Sequence, residues 1–165
     1  MLESPPPPPP QQPAATVRIA TVAGEPRFQA PRAVEAGAVL RVVNRTDPAR
    51  SGPHTFSLVA PGALPRRPGA LRACFAPDRI CRAIADWHGV RGNGPPARNL
   101  AEAGAPGWDT PGGVGRRGDS WFSGYRRGSS VEQPLAIPLG EESRVVHFMC
   151  AIDPSMQGKI TVRPN

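Results

Sequence analysis

Apolar and polar residues alternate from Ala15 to Val22 (ATVRIATV), the period of a strand with one buried face. A weaker run at 28–35 is interrupted by Pro31, and Ala36-Gly37 then turns the chain into a strong strand at 39–44 that ends on Asn44. Residues 45–53 (RTDPARSGP) are loop by composition, and 54–59 (HTFSLV) is a further strand. The stretch from about 60 to 120 is irregular. Its one regular piece is 78–88, where Ile80, Ile84 and Trp87 recur at helical spacing, with Asp78 as the expected N-cap and Gly89 as the stop. Strand patterns return at 119–122, 131–137, 144–150 and 159–163. Eight short strands around one helical insertion predict an all-β, antiparallel Greek-key β-sandwich.

Composition agrees with that class. The 165 residues (17.5 kDa) suit one domain, and no apolar run approaches the roughly 20 residues of a membrane helix. With 18 Gly and 23 Pro punctuating the chain, a helical bundle is excluded. Residues 1–14 (MLESPPPPPPQQPA) read as a disordered, Pro-rich leader or linker, leaving 15–165 as the domain. That leader has neither the basic start nor the apolar run of a secretory signal.

The net charge of +7 raises the question of nucleic acid. The basic residues are almost all arginine, with Lys159 the single lysine, and they fall singly or in pairs such as Arg66-Arg67, Arg116-Arg117 and Arg126-Arg127. Arg, Ala, Gly and Pro all have GC-rich codons, so codon composition accounts for much of the charge. No stacking aromatics interleave with the arginines, and no nucleic-acid partner is expected.

Cys74 and Cys81 lie seven apart, in a turn leading into the predicted helix. A small-loop disulfide there implies an oxidising compartment; the alternative is a pair of reduced core thiols. Cys150 is then the odd cysteine, and it stands in the most informative segment of the chain. From Cys150 through Asp153 to Met156 a thiol, a carboxylate and a thioether recur every three residues, in a turn between two strands. His54, far upstream, opens a strand and can supply an imidazole. His147, an odd number of residues before Cys150, is expected on the opposite face, and His88 at the surface or as a charge at the helix C-terminus. Trp87, Trp108 and Trp121 are expected mainly in core packing.

The order of an Asn-ended strand (Val42-Val43-Asn44), then Pro53-His54, then a distant Cys-x2-Asp-x2-Met turn running into a final strand resembles the cupredoxins. These are the small blue copper proteins of the plastocyanin and amicyanin kind. The resemblance covers about 90 residues at the two ends and omits the insertion. It implies one copper ion on two imidazoles, a thiolate and a weak axial thioether, a set whose softness suits Cu(I) while imidazole serves both oxidation states. Carried over, His54 is the first imidazole, Cys150 the thiolate and Met156 the axial thioether, while Asp153 stands where the family has its second histidine. The extra negative charge, worth about 4 kcal/mol at about 4 Å and an effective dielectric near 20, favours Cu(II) by about 150–200 mV.

The resemblance therefore implies a copper-binding, one-electron-transfer protein rather than an enzyme, extracytoplasmic, serving a redox partner protein. The alternative it leaves is a cupredoxin-like interaction module with a degenerate site, or a Zn(II) or copper carrier.

Overall fold

The computed structural model describes residues 5–6, 15–101, 107–138 and 140–164, so most of the expected leader lies outside the described residues. Ten strands are described among them: β1 (Ala15–Val22), β2 (Glu25–Gln29), β3 (Ala33–Glu35), β4 (Val39–Asn44), β5 (Thr55–Val59), β6 (Leu100–Ala101), β7 (Ser120–Phe122), β8 (Ser130–Pro134), β9 (Arg144–Met149) and β10 (Gln157–Arg163). They form two sheets, in the orders β2-β1-β4-β8 and β3-β10-β9-β5-β7-β6. The fold is an all-β sandwich.

Two expectations about strand pairing change. The weak run at 28–35 is two strands in different sheets, because Pro31 cannot donate to a ladder and the chain crosses between layers there. The sheets are also mixed rather than antiparallel, since β1 pairs β4 and β10 pairs β3 in parallel.

Alternation places Val17, Ile19, Leu40 and Val42 of the first sheet against Phe56, Leu58, Val146, Phe148, Ile160 and Val162 of the second. Phe56 and Phe148 meet with ring centroids 4.7 Å apart, and Phe56 takes Trp108 edge-on at 5.2 Å. Gly158 lies opposite Phe148 in the register, and a Cβ there would strike its ring.

The larger sheet is covered on its outer face too. The insertion folds into α2 (Pro68–Arg72), α3 (Ile80–Trp87) and β6, and Ile80, Ile84 and Trp87 pack on Val59 and Met149 in a second apolar cluster. An isolated helix of eight residues is unstable in water, so this packing and the Cys74–Cys81 disulfide hold α3 in place. The helix begins one residue later than expected. Arg79 is its cap residue, and Asp78 instead adopts a left-handed φ of 62°. Gly89, at φ 73°, ends the helical segment as expected. Trp87, Trp108 and Trp121 are all buried. A short α1 (Pro48–Ser51), capped by the Asp47 side chain, sits in the loop between β4 and β5.

Candidate metal centre

The Cys150–Met156 turn follows from its sequence. Asp153 and Pro154 occupy the first two positions of a β-turn, with Met156 N–H donating to Asp153 C=O at 2.9 Å. Cys150 N–H then donates to Met156 C=O at 3.0 Å, closing the loop onto β9 and β10. Val146, Phe148 and Cys150 share the inward face of β9 and its extension, and Met156 joins the same apolar cluster. His147 lies on the other face, half-buried.

His54 reaches this turn from the neighbouring strand. Its N–H donates to Ser123 Oγ at 2.9 Å and its C=O accepts from Ser123 N–H at 2.9 Å, which fixes its backbone on both sides. Asn44 closes the arrangement: its Oδ1 accepts from Thr46 N–H and Oγ1, at 3.0 and 2.7 Å, and its Nδ2 faces Ser123 Oγ at 3.4 Å.

The two chain segments meet at one point. His54 Nδ1 lies 3.8 Å from Cys150 Sγ, and both residues are buried, His54 at 1% exposure and Cys150 at 0%. Typical metal bonds of about 2.3 Å to thiolate and about 2.0 Å to imidazole together exceed that 3.8 Å, so both atoms could hold one ion. The sulfur also accepts two backbone N–H bonds, from Thr55 at 3.3 Å and Asp153 at 3.4 Å.

Electrostatics keep both groups neutral in the metal-free chain. Desolvation pushes the Cys150 thiol above its ordinary value, only partly offset by the N–H groups on the sulfur, and the Asp153 charge adds to the rise. Desolvation also lowers His54, against the opposing pull of Asp153. Binding a cation there would displace the thiol proton and pair the charge that burial penalises.

Asp153 takes part differently from the two converging donors. Its N–H serves the sulfur and its charge is felt at both His54 and Cys150, while its Oδ1 accepts from Ser155 Oγ at 2.7 Å. Among the described residues no three His, Cys, Asp or Glu side chains gather into a group able to hold a metal ion. The donors brought together are thus one imidazole nitrogen and one sulfur, with a thioether buried in the same cluster as the sulfur, types whose softness suits copper.

Sequence reading missed Thr55 and His88. Thr55 holds the turn twice, by its N–H to Cys150 Sγ and by its Oγ1, which accepts from Ala151 N–H at 2.8 Å. The Thr55-x-Ser57 spacing places two hydroxyls on one face of a strand whose other face is Phe56 and Leu58, but does not say what covers them. His88, expected at the surface, is 2% exposed. The chain returning at Ala97 and Arg98 covers it, with both N–H groups donating to His88 C=O at 2.9 and 3.2 Å.

No protein-family model and no curated protein sequence matches the chain. Among solved structures it is similar to auracyanin B, at 16% identity and a TM-score of 0.44, over 92% of this chain and 88% of that one.

Proposed function

We propose that this chain binds one copper ion at His54 Nδ1 and Cys150 Sγ, with Met156 and Asp153 completing the set, and carries single electrons to and from a partner protein. The observation that supports it best is the 3.8 Å approach of a buried imidazole nitrogen to a buried sulfur on which two backbone N–H groups converge. The ion, when bound, supplies a one-electron couple. The chain supplies the rest. Cys150 gives up its proton, the N–H groups of Thr55 and Asp153 hold the thiolate, and His54 is fixed through Ser123 so that little has to move when the charge changes.

No substrate-binding step is part of this reading, and the protein is a carrier rather than an enzyme. The Cys74–Cys81 disulfide supports an oxidising, extracytoplasmic setting. Among the described residues no helix is long and apolar enough to cross a membrane.

A second reading is a cupredoxin-like module that holds Cu(I) or Zn(II) without passing electrons, or holds no metal. The bond from Ser155 to Asp153 Oδ1 favours it, because it ties one oxygen of the carboxylate that stands in for the missing imidazole to a neighbour in the turn. Adding Cu(II) to the purified protein separates the two. An intense visible sulfur-to-copper absorption, strengthened in Asp153→His, supports electron transfer, and stoichiometric but colourless binding supports the second reading. A folded, copper-loaded Asp153→His protein without colour would overturn the ligand assignment.

A further inference from the structure

The outer face of β5 carries a polar track through an otherwise apolar layer. Phe56 and Leu58 enter the sandwich core, so Thr55 and Ser57 face the insertion. Ser120 of β7 is the register partner of Ser57, and their hydroxyls lie 2.7 Å apart. Thr55 Oγ1 is 3.0 Å from Ser57 Oγ, and Ser120 Oγ is 2.7 Å from His88 Nε2. The other ring nitrogen, Nδ1, is 2.9 Å from Arg98 C=O. His88, Ser120, Ser57 and Thr55 are all buried, with exposures of 0 to 4%.

These contacts fix the direction of every hydrogen. A carbonyl oxygen can only accept, so Nδ1 of the ring carries a hydrogen, and in the neutral ring Nε2 must accept. Ser120 therefore donates to His88, Ser57 to Ser120, and Thr55 to Ser57. Thr55 Oγ1, its own hydrogen committed, accepts from Ala151 N–H at 2.8 Å. One oriented chain thus runs from the residue after Cys150 to a histidine at the end of α3. Protonating His88 at Nε2 would reverse the hydroxyls, leaving the Thr55 hydrogen without its acceptor in the chain.

We propose that His88 is a positioning residue for the Cys150 turn, acting through the oriented hydroxyl chain Ser120–Ser57–Thr55. Thr55 is the last link, because it grips Ala151 N–H with its hydroxyl and Cys150 Sγ with its own N–H. This gives the insertion a function beyond cover: it delivers an imidazole that orients hydroxyl hydrogens on β7 and β5. The groups around His88 agree with a neutral ring, since burial and the Arg98 and Arg117 guanidiniums oppose its protonation, and the Arg98 carbonyl alone favours it. His88 and Thr55, the two ends of the chain, line one cavity of about 400 Å³ together with Phe122, Ala151 and Ile152.

The test is NMR of the full, metal-free chain, so its outcome is independent of copper binding. The ring nitrogen shifts of His88 should show the neutral form protonated at Nδ1. In His88→Met, which removes the acceptor, the amide protons of Thr55 and Ala151 should move upfield. They should return toward their original positions in His88→Gln, whose side-chain oxygen can accept from Ser120. An Nε2-protonated ring, unmoved amides in His88→Met, or equal shifts in Met and Gln variants would overturn the proposal. Should His88→Met not fold, Ser57→Ala and Ser57→Thr make the same comparison from the middle of the chain, with the alanine shifting both amides and the threonine restoring them.

Discussion

Two buried histidines sit on opposite sides of β5 and differ in how their rings are satisfied. His88 has a partner for each nitrogen, Arg98 C=O and Ser120 Oγ, at 2.9 and 2.7 Å. His54 has only the Cys150 sulfur at 3.8 Å on Nδ1, and its buried Nε2 has no hydrogen-bond partner. A buried polar atom without a partner costs about 1–3 kcal/mol, so the His54 side is held at a loss of stability that the His88 side avoids. The contrast separates an imidazole built into the framework from one left open toward a sulfur. A cation between Nδ1 and Sγ would use the Nδ1 side of the His54 ring, whereas both ring nitrogens of His88 are already engaged.

The largest effect expected from this difference is on stability. His88→Ala strands the Ser120 hydroxyl and the Arg98 carbonyl, and at about 1–3 kcal/mol for each buried group should cost about 2–6 kcal/mol in denaturant unfolding. His54→Ala removes a ring of equal size with fewer bonds to lose, and should cost about 2 kcal/mol less. Equal losses, or the reverse order, would break the comparison.

A smaller effect should appear with pH. Burial lowers His88 below the ordinary histidine value, so as pH falls below about 6.5 the unfolded chain takes up a proton before the folded one does. Stability contributed by the neutral ring is therefore complete above about pH 6.5. It declines below it, by at most about 1.4 kcal/mol per pH unit for each such histidine, until the folded ring also protonates. His54 and His147 are lowered as well and add to the same slope. Unfolding curves at several pH values should show the slope flattened, but not abolished, in His88→Gln. An unchanged slope would mean that His88 does not stay neutral in the fold.

What the sequence made legible was local or periodic. Alternation placed Val146, Phe148 and Cys150 on one face and His147 on the other, and the Cys150–Met156 spacing marked a turn that Asp153-Pro154 does form. The paired cysteines were readable as a disulfide because their short separation closes a small loop. His88 was misjudged because its burial comes from Ala97 and Arg98 folding back over it, a contact that helical periodicity within 78–88 cannot register. Parallel pairing of β1 with β4 leaves no mark on either strand's alternation, so the mixed sheets were invisible too. Thr55 and Ser57 sit in a strand buried on both faces, where hydroxyls facing a helix look the same in sequence as hydroxyls facing water.

Copper X-ray absorption on the loaded protein tests the central assignment most directly, because it reads the atoms touching the ion. The account predicts one short sulfur ligand together with imidazole nitrogen, the sulfur disappearing in Cys150→Ser and the imidazole contribution falling in His54→Ala. A coordination shell without sulfur, or one that these two substitutions leave unchanged, would contradict it.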